Sequence, residues 1–179
     1  MELLDIPYKI SYRNVKYPRL EFKTGELILI LPPGFNDYNL LKKKEEWILN
    51  KTNFIRECLR NSNNKKISDI EEKEFRKTVL ALAKKCSKKL SVKLNKIYFR
   101  KMKTKWASLS EKRNLTVNLL VKYLPEHLLG YVIFHEIVHV IEKRHNDRFW
   151  RIVSKEYSGF HELEMELFTY WFLLYKKLK

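Results

Sequence analysis

From Tyr131 to Ile141 the chain reads YVIFHEIVHVI, and only His135, Glu136 and His139 in that run are markedly polar. A helix that is apolar all round belongs in a protein interior. Polar groups buried there without partners cost about 2–7 kcal/mol each. This one segment therefore requires both a core to bury it and something to satisfy His135, Glu136 and His139. Residues four apart lie on one face of a helix, one turn above the other, so both imidazoles can point at a single ion. Neutral imidazole binds zinc at about 2.0–2.1 Å. Glu136 lies about 100° further round, beside such an ion, where its carboxylate can act as a base toward an activated water. The HExxH spacing thus supplies two ligands and one base.

The rest of the chain can provide that core. At 179 residues and 45% hydrophobic it suits one globular domain. No apolar run approaches the roughly 20 residues that span a bilayer. MELLDIPYKI lacks the basic and apolar regions of a secretory signal. Cys58 and Cys86 are isolated, with no CxxC pair, which suits a reduced, cytoplasmic setting. The net charge of +16 admits a nucleotide or nucleic-acid partner at a basic surface. The lysines are scattered from Lys42 to Lys179, however, and no recognition motif for DNA or RNA accompanies them.

IPYKISYR, YPRLEFKT and ELILILPP read as strands, the last two joined in a hairpin at Thr24-Gly25, with Pro32-Pro33-Gly34 closing the region. Helical spacing of Leu40, Leu41, Trp47, Ile48, Phe54, Ile55 and Leu59 predicts a helix from Asp37 to about Arg60. After the polar stretch NSNNKK, Ser68 and Glu71 fit a capping box for a helix running to Lys89 and burying Phe75, Val79, Leu82, Ala83 and Cys86. KIYFRKM, KWASLS and NLTVNL are further strands. Pro125-Glu126 begins a helix expected to carry LLGYVIFHEIVHVIEK. A short helix from Asp147 and a long one from Phe160 complete a single α+β domain, 1–179. Its parts are an N-terminal β region (1–36), a helical region (37–90) and a metal-binding core (95–179).

A catalytic zinc site has three protein ligands and an open position. His145, six residues after His139, is the best third ligand; a glutamate from HELEMEL (Glu162, Glu164 or Glu166) is the alternative. The spacing matches HExxHxxGxxH enzymes, but Glu142 replaces the glycine and no methionine turn follows, since Met165 lies in a helical pattern. The turn that returns His145 must therefore differ.

Lys103-Thr-Lys-Trp106-Ala-Ser108-Leu-Ser110, then Asn118-Leu119, Pro125, the HExxH motif and His145-Asn-Asp-Arg-Phe149-Trp150 follow one another in an order that resembles the YgjP-like metallopeptidases, relatives of the SprT-like and other zincin proteins. Ala107 and Leu109 depart from that family's usual glycine and cysteine. The resemblance implies a zincin-like α+β fold with one Zn2+ held by His135, His139 and His145, Glu136 as general base and a peptide or protein substrate. Trp106–Ser110 is then the candidate edge strand for an extended peptide, and Arg148, Phe149 and Trp150 would pack the turn holding His145. Tyr123, Tyr157, His161 and Tyr170 are available as electrophiles, although each also fits a structural role. A nucleotide phosphoanhydride hydrolase and a DNA-associated protease module remain the alternative functions.

Overall fold

The computed structural model describes residues 8–23, 26–35, 38–62 and 65–177. The chain forms two compact units, Met1–Asn64 with Phe168–Lys179, and Lys65–Leu167. The fold is α+β, with two small mixed sheets and six α-helices among the described residues. No described helix is long and apolar enough to cross a membrane.

The first unit opens with β1 (Tyr8–Tyr12), β2 (Arg19–Lys23) and β3 (Glu26–Leu31) in the order β1-β3-β2. The β2–β3 pairing is antiparallel with Lys23 opposite Glu26, as a hairpin requires; Thr24-Gly25 itself lies outside the described residues. β1 pairs parallel to β3, which local pattern does not foretell. Leu27, Leu29 and Leu31 alternate onto one face and pack with Leu41 and Ile48. The single helix expected from Asp37 to Arg60 is instead two, α1 (Tyr38–Lys43) and α2 (Glu45–Ser62), and Asp37 lies outside the described residues. The Lys44 amide shares itself between the Leu40 and Leu41 carbonyls at 3.1 Å each, a tightening that interrupts the regular ladder. Ile48, Ile55 and Cys58 are buried, whereas Trp47 and Leu59 face out. Phe54 meets Phe168 edge-on at 5.3 Å.

The second unit begins with an extended segment in place of the expected capping box. The Ser68 and Ile70 amides donate to the Tyr123 and Lys122 carbonyls, so Ser68 is committed elsewhere. Helix α3 (Glu72–Lys89) starts at Glu71, with no side-chain cap. Phe75, Val79, Ala83 and Cys86 are buried along one stripe of it, and Leu82 is half-buried. β4 (Ile97–Arg100), β5 (Ala107–Leu109) and β6 (Leu115–Asn118) repeat the topology of the first sheet, in the order β4-β6-β5. β5 is therefore an edge strand, antiparallel to β6. A 3₁₀ turn (Leu119–Tyr123) leads into α4 (Glu126–Val138). α4 packs against α3 and β5, and it is buried nearly all round, from Leu128 to Phe134 and at Ile137 and Val138. α5 (Asp147–Glu156) follows, its start capped by Asn146 Oδ1 accepting from the Phe149 amide. α6 (Phe160–Lys177) contributes its residues up to Leu167 to this unit.

Candidate metal centre

The sequence pattern carries helix α4 past His139, but the helix ends at Val138 with His139 as its C-cap. The His139, Val140 and Ile141 amides bond to carbonyls three residues back, at 2.9–3.2 Å, which winds the final turn tightly. His139 keeps its place one turn beyond His135. The chain then reverses without a glycine. Among the described residues positive φ occurs only at Gly34, Ser91 and Arg113, so Glu142 takes an ordinary backbone conformation in this turn. The Glu142 carbonyl accepts from His139 Nδ1 at 3.0 Å, and the Glu142 carboxylate accepts from the Arg144 amide at 3.3 Å. This polar closure stands in for the glycine of the HExxHxxGxxH pattern.

The result is that His135, His139 and His145 each offer a nitrogen within 4.8 Å of the other two. His135 Nε2 and His145 Nε2 are 3.0 Å apart. Nitrogens on a tetrahedron around zinc lie about 3.3 Å apart when each bond is about 2.0–2.1 Å, so the separation fits an ion with little movement. The bond to the Glu142 carbonyl places the proton of His139 on Nδ1 and leaves Nε2 free as a ligand. Burial, together with the neighbouring imidazoles, pushes the pKa values of His139 and His145 down, which favours the neutral, metal-binding form.

Phe149 is fully buried and touches all three imidazoles, at centroid distances of 5.0, 4.7 and 4.6 Å. Trp150 stacks on both His145 and Phe160. This pair thus braces the most exposed of the three histidines.

Of the glutamates in HELEMEL, Glu162 is exposed and Glu166 is held by Lys65 and His127. Glu164 lies behind the cluster. Its Oε1 accepts from the buried Tyr131 hydroxyl at 2.5 Å and stands 3.5 Å from His135 Nδ1. That nitrogen is sealed from solvent and has no well-formed hydrogen bond. Burial alone would raise the pKa of Glu164, but His135 and Tyr131 hold it below the usual carboxylate value. Glu164 is therefore an ionised partner for the outer nitrogen of His135, the arrangement that orients metal-binding imidazoles generally. Sequence alone places it among possible ligands, because it does not show which side of the imidazole it would meet.

Glu136 is the other half-buried carboxylate. Burial raises its pKa, opposed by His135, by the Leu109 amide and by Lys105. The Leu109 contact follows from the sheet. Trp106 and Ser110 turn their backbone bonds toward β6 and its flanks, so Ala107 and Leu109 turn theirs to the open edge. A cavity of about 630 Å³ lies between this edge and α4, lined by residues 105–111, Arg113, the three histidines, Glu136, Lys143 and Glu164. Tyr131 also lines it, whereas Tyr123, Tyr157 and His161 do not. The Tyr157 ring packs on Tyr131 and Phe134 instead, and its hydroxyl stands 3.2 Å from where a Cβ on Gly130 would be.

Imidazoles converging on one point, a half-buried carboxylate beside them and an open cavity bounded by a sheet edge define the class as a metal-dependent hydrolase. Residues 56–170, more than half of the chain, match the YgjP-like metallopeptidase domain, and the chain belongs to that family. The family assignment makes it a peptidase-type hydrolase and implies a metal. Among solved structures, the chain is similar to the metallopeptidase zymogen jannalysin of Methanocaldococcus jannaschii. They share 26% identity over 50% of this chain and 87% of that one, with a TM-score of 0.44. The zymogen abylysin of Pyrococcus abyssi is similar at 26% identity, over 49% and 88%, also with a TM-score of 0.44. No curated protein matches the chain.

Proposed function

We propose that the chain is a zinc-dependent peptidase in which His135, His139 and His145 hold one zinc ion and Glu136 is the general base. The observation that carries this reading is the convergence of three imidazole nitrogens within 4.8 Å, in a cavity that Glu136 also lines. Zinc, when bound, would supply Lewis acidity toward a water and a peptide carbonyl. The Glu136 carboxylate takes the proton of the attacking water and gives it to the leaving amine. Burial makes Glu136 a better proton acceptor than an ordinary surface carboxylate, while His135, the Leu109 amide and Lys105 oppose that rise in its pKa. The outward backbone groups of Ala107 and the outward carbonyl of Leu109, whose amide is held by Glu136, offer an extended peptide an edge to pair with, which would lay its scissile bond across the histidines.

Removal of zinc by a chelator should abolish cleavage of casein or a fluorogenic peptide, and one equivalent of zinc should restore it. Phosphate release from nucleotides without any proteolysis under the same conditions would overturn this reading. Glu164→Gln should weaken zinc binding about 10–100-fold, read by competition with a chromophoric chelator. An unchanged affinity would remove Glu164 from its orienting role.

A further inference from the structure

The rim of the cavity carries cations besides the residues proposed to hold zinc and move protons. Lys105, Arg113 and Lys143 line it, and Lys143 is paired with Glu111 at 3.4 Å. Among the described residues Lys105 and Arg113 have no ion pair; the influence of Lys105 on Glu136 is through charge alone. They stand at the two ends of β5, one just before Ala107 and the other in the turn after Leu109.

Arg113 also occupies an unusual backbone position. The Arg113 amide donates to the Ser110 carbonyl and the Ser110 amide to the Asn114 carbonyl, which closes the turn between β5 and β6. Arg113 is the residue of that turn with positive φ, at 56°. Hairpins of this kind favour glycine or asparagine there, because a Cβ is strained in the left-handed region. A strained residue whose side chain lines a cavity points to a use for that side chain.

We propose that Arg113, assisted by Lys105, forms a carboxylate-recognising subsite at the rim of the cavity, so that the peptides this site takes are acidic. The proposal rests on the cavity being a peptide site, and it adds the substrate class. A guanidinium matches a carboxylate in two parallel hydrogen bonds, and a peptide lying along β5 would carry its flanking groups to Lys105 at one end and Arg113 at the other. The carboxylate can belong to an Asp or Glu side chain or to a peptide C-terminus.

Peptide pairs that differ only in Glu against Gln near the cleaved bond, each with a free and an amidated C-terminus, separate these sources. Binding is measured by fluorescence anisotropy on zinc-loaded Glu136→Gln protein, which reads affinity without any need for hydrolysis. The acidic member should bind about fivefold tighter, and Arg113→Gly in that background should bring the pair within about twofold of each other. Glycine suits the left-handed position, so this variant should melt no lower than its parent. A preference for Glu over Gln assigns the subsite to a side chain; tighter binding of the free than of the amidated form, with Glu and Gln equal, assigns it to the C-terminus. Equal binding of all four peptides, or a preference that Arg113→Gly leaves intact, would overturn the proposal. Displacement of the peptide by short single-stranded DNA, insensitive to Arg113→Gly, would do the same and give the rim to nucleic acid. Wild-type protein that cleaves both members of a pair equally would sink the subsite and leave the peptidase standing. An acidic preference in binding with no cleavage of any peptide would do the reverse.

Discussion

Glu136→Gln should retain zinc, fold as well as the parent and lose about three orders of magnitude in peptide hydrolysis, within the range that positioned general bases contribute. The substitution preserves shape. A glutamine oxygen can still accept from the Leu109 amide, so the contact between α4 and the open edge of β5 survives. What disappears is the proton acceptor. The raised pKa of Glu136 has burial as its largest cause, which means the folded protein bears an energetic penalty for the charge at this point. A neutral amide relieves that penalty, and the melting temperature should hold or rise as activity falls, the usual exchange between stability and a strained functional group. Parallel measurement of zinc content, melting temperature and turnover checks all three. Turnover within about tenfold of the parent at full zinc loading would remove Glu136 from the chemistry.

The second large effect lies outside the metal site. Asn118 is completely buried, and its amide makes four hydrogen bonds to backbone groups. Oδ1 accepts from the Met102 and Leu120 amides, at 3.2 and 3.1 Å. Nδ2 donates to the Met102 and Lys105 carbonyls, at 2.9 and 2.7 Å. One side chain therefore caps the 3₁₀ turn before α4 and pins the loop that leads into β5. Asn118→Ala leaves those backbone groups without their partner and should destabilise the protein by about 3 kcal/mol. For a chain of this size that is a fall of roughly 10 °C in melting temperature. Asn118→Asp tests whether hydrogen bonding or shape matters. It keeps the volume but exchanges both donors for acceptors facing the Met102 and Lys105 carbonyls, so it should cost at least as much as the alanine. An aspartate variant as stable as the parent would contradict this role.

Asn118 also marks where local sequence pattern stops being informative. Asn118-Leu119 stands in the stretch that resembles the family, yet nothing in the residue itself reveals four backbone partners reached across up to sixteen positions. The same holds for Ser68. Its spacing to Glu71 suits a capping box, but pairing of the segment with Tyr123 and Lys122 overrides that local preference. The parallel partner of β1 and the break at Lys44 are hidden for the same reason, since both are settled by geometry beyond a short window.

The histidines are legible because their information is local. HExxH is one turn of helix, and an apolar helix leaves its polar groups few choices. His145 is legible as a candidate ligand from spacing, whereas the glycine-free turn that returns it is not. That turn depends on the Glu142 carbonyl meeting His139 Nδ1. Arg113 cannot be singled out from sequence at all, because neither its positive φ nor the cavity it lines has a sequence signature.

Three imidazoles sharing one ion underlie every step proposed for the site, and metal content tests that sharing most directly. Zinc should be counted by mass spectrometry on purified wild-type protein beside His135→Ala, His139→Ala and His145→Ala, each verified as folded. The expected result is one zinc per wild-type chain, lost on gentle dialysis from every variant, since two imidazoles hold the ion far less firmly than three. A wild-type protein that takes up no zinc on reconstitution, or variants that hold it as firmly as the parent, would contradict a three-histidine centre.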